Sequence, residues 1–324
     1  MAKIKDVARL AGVSASTVSL VLNRKGYVSE PTRQRVEKAI RDLHYIPSEV
    51  ARNFSLSRSN LIGVIIPDLA HPFFATLVQE IERALYPFGF RTMVCSTNER
   101  ENGEAIFLDM LQRQTMDGLI VGAHAVHMEL YQNIKRPLLA FDRYLTDQIP
   151  IVRADHVQGG QLVAEALLKH RSRHVVQIIG SASVRTPAHA HETTLTQIMR
   201  AHDVQIDSIV MPANAFHAED FSRAAREVFV RYPETDAIVA TDLGAMVAMG
   251  EAIRSGRRVP NDVAIISYDG TYLTRLAPLC LSAVVQPFRA LGQKSAQAIA
   301  ALVHGETLPD LTPLAMQWQK GETC

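Results

Sequence analysis

Residues 4–23, IKDVARLAGVSASTVSLVLN, predict two short helices joined by a tight turn. Apolar residues mark one side of each helix: Ile4, Val7, Ala8 and Leu10 in the first, Val18, Val21 and Leu22 in the second. Gly12 stands where a helix must end in a left-handed residue, and Ser14 is a natural N-cap for the helix that follows. The pattern is typical of a helix-turn-helix, whose second helix enters the DNA major groove, although an ordinary helical hairpin would share it.

The charge of the chain is divided unevenly along its length. The whole sequence has 34 Lys+Arg and 33 Asp+Glu, a net charge of +1. Residues 1–60 hold 11 basic and 5 acidic residues, a net of +6, so residues 61–324 hold 23 and 28, a net of −5. A basic segment favours nucleic acid or an anionic membrane surface as partner, because neutralising phosphates releases counterions. No signal peptide, lipidation motif or apolar span is visible, so we expect a cytoplasmic, DNA-binding protein without a membrane partner.

A third helix is predicted after the helix-turn-helix. Ser29 is its natural N-cap and Pro31 lies in its first turn, while Val36, Ile40 and Leu43 form the buried face. Pro47 then forces a break. The stretch that follows, SEVARNFSL over residues 48–56, is too short for a stable isolated helix, so we expect it to order on a partner.

The runs AGVSASTVSLVLN and VSEPTRQRVEKAIRDLHYIPSEVAR resemble the headpiece of the LacI/GalR family of transcriptional regulators, densely over residues 4–58 and loosely beyond. The resemblance implies a dimer on a pseudo-palindromic operator, with second helices in the major groove and a hinge helix around Phe54 pressed into the minor groove. It assigns DNA-contacting positions to two sets of residues. The base-reading positions are Ala15, Ser16 and Leu20, and the phosphate-contacting or helix-positioning places are Thr17, Ser19, Asn23 and Tyr27.

Two DNA-contacting residues depart from the family pattern. Relatives often carry a polar or basic residue where this chain has Leu20, and leucine cannot make a bidentate hydrogen bond to guanine. Its expected target is a thymine methyl group or nothing. Phe54 replaces the usual leucine wedge, and an aromatic ring can also slip between base steps and kink the duplex. The alternative for Phe54 is packing on the core domain.

The body of the chain alternates short apolar runs with amphipathic stretches. Strand-like runs are LIGVIIPD (61–68), RTMVCST (91–97), GLIVGA (118–123), PLLAFD (137–142), VVQIIG (175–180), SIVMPA (208–213), AIVAT (237–241) and DVAIISYD (262–269). Continuous apolar strands separated by helices predict an α/β fold of parallel sheets covered on both faces. We expect two Rossmann-like lobes, similar to the periplasmic sugar-binding proteins that the family uses as its sensor. The expected boundaries are 1–47 for the headpiece, 48–60 for the hinge helix and linker, 61–158 with 289–324 for the first lobe, and 159–288 for the second.

Ligands of open α/β sheets bind beyond the carboxyl ends of the strands, and this rule selects residues from several strand ends. The aspartates so selected are Asp68, Asp142, Asp155, Asp242 and Asp269. The predicted effector-binding residues are Phe73, Phe74, Asp142, Arg143, Arg185, His189, Phe216, Asp242, Asp269 and Gln286. Carboxylates, an arginine and aromatic faces suit a polyhydroxylated ligand such as a sugar. Helix N-capping is the alternative role for each aspartate.

One stretch differs from the family in the expected effector site. Many relatives carry a ligand-gripping arginine in a pattern resembling R-x-x-G-[FY], and the matching residues here are 190–194, AHETT. Arginine and glycine are both absent, although Arg185, His189 and His191 lie nearby. One of these replaces the arginine, or the pocket takes a different ligand, or the site has been altered.

Other readings of the sequence receive less support. His189 and His191 are two residues apart and would face apart on a helix, so we expect no metal site, and no cofactor motif is present. The three cysteines, Cys95, Cys280 and Cys324, indicate free thiols. The sequence shows no catalytic nucleophile or acid/base pair, so we do not expect an enzyme. We therefore expect a dimeric, ligand-responsive repressor of a carbohydrate operon that resembles sucrose- or ribose-operon repressors. The alternatives are a relative with a nucleobase or phosphoprotein effector, and a solute-binding α/β protein.

Overall fold

The computed structural model describes residues 2–23, 26–46, 58–97, 103–122, 128–213, 215–276 and 278–324. The chain divides into two compact units, Met1–Ser59 and Asn60–Cys324. The predicted hinge helix and Phe54 lie outside the described residues.

The first unit is a three-helix module. Its helices are α1 (Ile4–Ala11), α2 (Ala15–Asn23) and α3 (Glu30–Asp42). One side chain from each helix, Val7, Val18 and Val36, is fully buried in a common core. Leu10 does not belong to this core, contrary to expectation: its side chain is 55% exposed, because it lies on the side of α1 that faces away from α2 and α3.

The turn between α1 and α2 has the predicted geometry. Gly12 ends α1 with φ of 64°, a left-handed conformation that costs glycine no steric penalty. Ser14 caps α2, since its Oγ accepts a hydrogen bond from the Thr17 backbone N–H at 3.1 Å. The predicted helix-turn-helix is therefore present in the first unit.

The second unit contains two sheets. The first sheet has the order β2-β1-β3-β4-β5 and is parallel throughout; its strands are β1 (Leu61–Ile66), β2 (Arg91–Ser96), β3 (Gly118–Val121), β4 (Leu138–Phe141) and β5 (Ile151–Val152). The second has the order β11-β10-β9-β8-β6-β7, formed by β6 (His174–Ile179), β7 (Gln205–Val210), β8 (Ala237–Thr241), β9 (Ala264–Asp269), β10 (Ser282–Val285) and β11 (Gln317–Gln319). Strands β1, β3, β4, β8 and β9 are buried along almost their whole length, which explains their continuous apolar sequence.

Seven helices in the described residues connect and cover these sheets. They are α4 (Pro72–Leu85), α5 (Gly103–Gln112), α6 (His156–His170), α7 (His189–Ala201), α8 (Ala218–Arg231), α9 (Asp242–Arg254) and α10 (Phe288–His304). Helix α10 packs along α4, so the chain does return to the first sheet after β10. No helix in the described residues has the length and apolar character needed to cross a membrane.

The C-terminal segment departs from the expected lobe assignment. We expected residues 289–324 to belong to the first lobe, where α10 packs and where Leu314 forms a bridge with Ala154 just after β5, but the residues after Leu314 do not remain there. Strand β11 pairs antiparallel with β10, with Val284 opposite Trp318, and therefore belongs to the second sheet. The last residues bond to the same sheet, since the Thr323 carbonyl accepts from the Ile265 backbone N–H at 2.8 Å.

Candidate functional site

The residues with predicted DNA contacts in the first unit lie on α2 and on the turn after it. Tyr27 is 93% exposed and Leu20 is 39% exposed, which is unusual for large apolar side chains. The small polar residues form a local network: Ser14 Oγ lies 2.6 Å from Ser16 Oγ, and Asn23 Nδ2 donates to Ser19 Oγ at 3.2 Å. The outer face of α2 therefore presents hydroxyl groups and one exposed leucine.

A cavity of about 200 Å³ lies in the second unit, between the carboxyl ends of strands from both sheets. Its walls include most of the predicted effector-binding residues: Phe73, Phe74, Asp142, Arg143, His189, Phe216, Asp269 and Gln286. Arg185 and Asp242 are not among the wall residues. Arg185 is exposed, and its backbone carbonyl accepts a hydrogen bond from the Tyr144 N–H at 3.2 Å.

Asp242 has a structural role that fully occupies its carboxylate. It opens α9, and its side chain is buried. Oδ1 accepts from Ser267 Oγ at 2.5 Å and from the Gly270 N–H at 3.0 Å. Oδ2 accepts from the backbone N–H and the hydroxyl of Thr271 at 2.6 and 2.5 Å. Burial raises the pKa of Asp242, and these hydrogen bonds oppose the rise. The structure therefore places Asp242 outside the cavity wall, with its carboxylate holding the turn after β9.

Three more of the aspartates selected at strand ends have hydrogen-bond partners for their side chains. Asp155 Oδ1 accepts from the Gln158 N–H at 3.0 Å and caps α6, which is the N-capping alternative. Asp68 Oδ1 accepts from the Ala70 N–H at 2.8 Å, two residues along the chain, and is absent from the cavity wall. Asp142 does line the cavity, and its Oδ1 lies 2.9 Å from His156 Nε2.

Both cavity aspartates have backbone conformations that are unfavourable for a residue with a side chain. The φ angle of Asp142 is 48° and that of Asp269 is 129°. Such conformations persist only where surrounding contacts fix them, and they concentrate at functional sites. Gln286 Nε2 donates to Asp269 Oδ1 at 2.8 Å. Burial, with the charge of Asp242 as the next cause, raises the pKa of Asp269 well above its ordinary value.

Three polar atoms in the cavity wall are buried without a hydrogen-bond partner among the described residues. They are Arg143 Nη1, His71 Nδ1 and Thr241 Oγ1. Burial lowers the pKa of Arg143 to about 9, so the guanidinium keeps its charge at neutral pH. Burial also lowers the pKa of His71 to about 4, so its imidazole is neutral. Buried polar groups are normally paired, so these atoms are sites where a ligand would gain hydrogen bonds.

The two histidines at the start of α7 have opposite electrostatic character. His189 faces acceptors on both ring nitrogens: Glu192 Oε2 lies 2.9 Å from Nδ1, and the Val184 carbonyl lies 2.9 Å from Nε2. Both nitrogens must donate, and the hydrogen bond to Glu192 raises the pKa of His189. His191 Nδ1 contacts the Ala188 carbonyl at 2.5 Å, and burial lowers its pKa to about 4. His191 is therefore neutral, with Nε2 as an acceptor.

Aromatic rings also line the cavity. The ring centroids of Phe73 and Phe74 are 5.1 Å apart, and Phe216 lies 5.7 Å from both Phe74 and His71. Phe216 follows β7 of the second sheet, whereas the other three rings follow β1 of the first. These edge-to-face contacts therefore join the two lobes across the cavity.

Sequence reasoning missed several wall residues. The cavity also includes His71, Thr241 and Tyr268, and Tyr268 bonds to the buried His156 beside Asp142. The strand-end rule selected Asp242 and Asp269, and it would also have selected the residues directly before them, Thr241 and Tyr268. His71 precedes Pro72 at the N-cap of α4, so its position after β1 was a usable signal.

Within the described residues, no group of three or more His, Cys, Asp or Glu side chains is arranged to hold a metal ion. A helix-turn-helix and two parallel sheets that share a ligand-sized cavity define a class of protein: DNA-binding regulators with a small-molecule sensor.

Comparison with known proteins gives the family. The model of "Bacterial regulatory proteins, lacI family" matches residues 3–48, and that of "Periplasmic binding proteins and sugar binding domain of LacI family" matches residues 59–314. A ribose operon repressor of Halalkalibacterium halodurans is 33% identical over 309 residues, which cover 95% of this chain and 92% of that protein. A sucrose operon repressor of Streptococcus mutans is 33% identical over 295 residues, 89% of each chain.

Solved structures agree with this result. The Lac repressor dimer bound to operator and the anti-inducer ONPF superposes with a TM-score of 0.85 at 25% identity, covering 99% of this chain and 98% of that one. The chain belongs to the LacI family of bacterial regulatory proteins. The expected fold class and the resemblance to sucrose- and ribose-operon repressors are confirmed.

Proposed function

We propose that this protein is a ligand-responsive transcriptional repressor of a carbohydrate-utilisation operon that binds a pseudo-palindromic operator as a dimer. The observation that carries the proposal is the cavity, whose wall combines aromatic rings, aspartates and a buried guanidinium with an Nη1 that has no partner among the described residues. Relatives named as ribose and sucrose operon repressors support it. A repressor acts where the DNA is, which places the protein in the cytoplasm.

A sugar fits the chemistry of the wall better than an anionic ligand does. The His189 imidazolium already has a carboxylate partner in Glu192. The neutral His191 offers an acceptor, as does the carboxylate of Asp142. Sugar hydroxyls both donate and accept, so they can bond to these acceptors and to Arg143 at once. The C–H faces of a sugar ring would pack on Phe73 and Phe216.

Regulation requires that the ligand favour one arrangement of the two lobes. Since the cavity wall is drawn from both sheets, a bound sugar contacts both lobes and stabilises the arrangement in which those contacts form. A coupling free energy of about 1–3 kcal/mol between sugar and DNA is typical of such a device. Whether the sugar releases or strengthens DNA binding depends on which arrangement grips the operator.

On the DNA side, we propose that Ala15, Ser16 and Leu20 read base edges, while Thr17, Ser19, Asn23 and Tyr27 contact or orient the backbone. The exposure of Leu20 and Tyr27 supports this assignment. Leu20 would contact a thymine methyl group, because it has no hydrogen-bonding atom in its side chain. We also propose that Phe54 acts as a minor-groove wedge.

A thermal-shift screen tests the sensor half of the proposal. The full chain is heated with D-ribose, sucrose, their phosphorylated forms, and purine bases. A ligand at about 100 times its dissociation constant should add roughly 2.7 kcal/mol of stability. Stabilisation by a neutral sugar supports the proposal. Stabilisation by a purine alone would favour the nucleobase effector and contradict the carbohydrate assignment.

Selection from random duplex DNA tests the operator half. Full-length protein should enrich DNA that contains an inverted repeat. The sugar identified in the screen should change the amount of this DNA that the protein retains. A sequence-specific site without two-fold symmetry, or retention that no sugar changes, would contradict the proposal. The Leu20→Arg variant is the matched probe, since it should enrich a different base at one position of each half-site.

A further inference from the structure

A buried hydrogen-bonded chain links the two cavity aspartates. His156 opens α6 and is only 3% exposed. Its Nε2 lies 2.9 Å from Asp142 Oδ1, at the end of a strand of the first sheet. Its Nδ1 lies 2.9 Å from the Tyr268 hydroxyl, on β9 of the second sheet. Tyr268 is the residue directly before Asp269, so the chain connects one strand end of each lobe.

The proton positions in this chain follow from the number of donors available. The Tyr268 hydroxyl has one proton and two neighbouring acceptors, His156 Nδ1 at 2.9 Å and Met316 Sδ at 3.3 Å. The hydroxyl and Nδ1 share one hydrogen bond, whose direction depends on the imidazole tautomer. A carboxylate can only accept, so His156 carries a proton on Nε2 and donates it to Asp142. One oxygen of the Asp142 carboxylate is thereby fixed by the first residue of α6, which is itself bonded to Tyr268 of the second sheet.

Tight packing holds Tyr268 in place at the other end of the chain. The His191 ring stacks on Tyr268 with centroids 3.8 Å apart and planes 16° apart. A Cβ atom on Gly159 would lie 2.3 Å from the Tyr268 hydroxyl oxygen and 2.6 Å from Met316 Sδ. Only glycine at this position of α6 leaves room for the hydroxyl, so the backbone of α6 and the ring of Tyr268 fix each other.

Asp142 needs such support because of its backbone. Its φ of 48° is unfavourable for aspartate, and its other contacts also come from outside β4. The Thr186 hydroxyl donates to the Asp142 carbonyl at 2.9 Å, and the Asp142 N–H donates to the Val152 carbonyl at 2.9 Å. The His156 bond is the one of these that acts on the carboxylate, which is the group facing the cavity.

We infer that His156 is a positioning residue of the effector site: through Tyr268 and Nε2 it orients the Asp142 carboxylate and couples it to the β9 strand end that carries Asp269. This inference rests on the proposed function, since it concerns the binding of an effector in the same cavity. His156 does not itself line the cavity. It acts through Asp142, so that a ligand bonded to Asp142 meets a carboxylate already oriented by His156 and, through His156, by Tyr268.

The first experiment needs no ligand. Full-length protein labelled with ¹⁵N-histidine is examined by NMR, and the His156 ring signals are identified by their loss in His156→Gln. We expect a proton on Nε2, the nitrogen that donates to Asp142. Tyr268→Phe keeps the ring stack and should shift the Nδ1 signal, and Asp142→Asn should shift the Nε2 signal. His156 signals that match the wild type in both variants would overturn the inference.

The second experiment measures D-ribose and sucrose binding to the full chain by calorimetry. His156→Leu should weaken binding of the sugar that the wild type binds by about tenfold or more, as expected when a hydrogen bond to an ionised group is lost. Tyr268→Phe should weaken it less, because the bond from Nε2 to Asp142 remains. His156→Gln should recover most of the affinity, because the glutamine amide can donate to Asp142 as Nε2 does. Wild-type affinity in His156→Leu would overturn the inference.

A second histidine–aspartate pair provides the matched control. His174 Nε2 lies 2.9 Å from Asp207 Oδ2, and neither residue lines the cavity. His174→Leu should lower the unfolding temperature while leaving sugar affinity within twofold of wild type. If the wild type binds neither sugar, the carbohydrate proposal fails with these probes, whereas the NMR experiment still decides whether His156 positions Asp142.

Discussion

Replacing Gly160 by alanine should destabilise the second unit, although alanine is the better helix former. Gly160 lies inside α6, where it faces α7. A Cβ atom there would lie 2.6 Å from the His191 carbonyl oxygen and 2.9 Å from Thr194 Cβ. Both contacts are shorter than packed atoms allow, and the carbonyl belongs to the backbone of α7. The substitution therefore forces the two helices apart.

The magnitude follows from two opposing effects. Alanine in place of glycine inside a helix gains up to about 1 kcal/mol, and overpacking a filled contact costs about 1–3 kcal/mol. With the full gain of about 1 kcal/mol, the net loss for Gly160→Ala is roughly 0–2 kcal/mol. Gly250, inside α9, is the matched control, because a Cβ there meets only the end of the Arg254 side chain, with Nη1 at 3.4 Å. Gly250→Ala should gain roughly 0.5–1 kcal/mol.

Urea unfolding of both full-length variants measures the difference. The free energies of unfolding should differ by about 2 kcal/mol in favour of Gly250→Ala, with unchanged dependence on urea concentration. For a unit of this size the unfolding temperatures should differ by roughly 4–8 °C. If Gly160→Ala is as stable as Gly250→Ala, the close approach of α6 and α7 does not exist as described.

Three further predictions concern charge and recognition. The pKa of His189 is raised in the folded protein, so its stabilising contribution is complete below about pH 6.5, its pKa in the unfolded chain, and is lost as the pH rises through its folded-state pKa. The stability difference between wild type and His189→Gln, measured by urea unfolding, should therefore shrink as the pH rises. Asp242→Ala leaves the Gly270 and Thr271 N–H groups without an acceptor and should cost roughly 2–6 kcal/mol in the same assay; a loss below 1 kcal/mol would contradict its structural role. Replacing one thymine by uracil in the selected operator should weaken wild-type binding about fourfold in a gel-shift assay, since one methyl group contributes roughly 0.8 kcal/mol. The same replacement should leave DNA binding by Leu20→Ala unchanged. Equal sensitivity of both proteins would refute the methyl contact.

The fold could be predicted because its signals are local. Apolar runs such as LIGVII and AIVAT, each followed by a helix, specify buried parallel strands, and the turn at Gly12 needs only its own neighbours. The position of β11 could not be predicted in the same way. Its pairing with β10 joins residues more than thirty positions apart, and no pattern within QWQ distinguishes one sheet from the other.

The candidate site was predicted in part, for a similar reason. The strand-end rule treats Asp142, Asp242 and Asp269 alike, because each follows a buried strand. What separates them is the supply of hydrogen-bond donors from distant residues. Asp242 receives donors from Ser267 and from the turn after β9, so its carboxylate has no capacity left for a ligand. The His156–Tyr268 contact spans 112 residues, which is why sequence reasoning missed both residues.

The absence of an arginine at Ala190 changes the chemistry of one wall without excluding a sugar. An arginine only donates hydrogen bonds, so relatives that use one require an acceptor from their ligand at this point. Here the nearby wall residue is the neutral His191, whose Nδ1 donates to the Ala188 carbonyl and whose Nε2 can only accept. A carboxylate or phosphate would lose its partner in such a wall, but a hydroxyl group can reverse its role and donate. On the proposed function, we therefore expect an effector with a free hydroxyl group at that end, while the buried guanidinium of Arg143 still offers a donor.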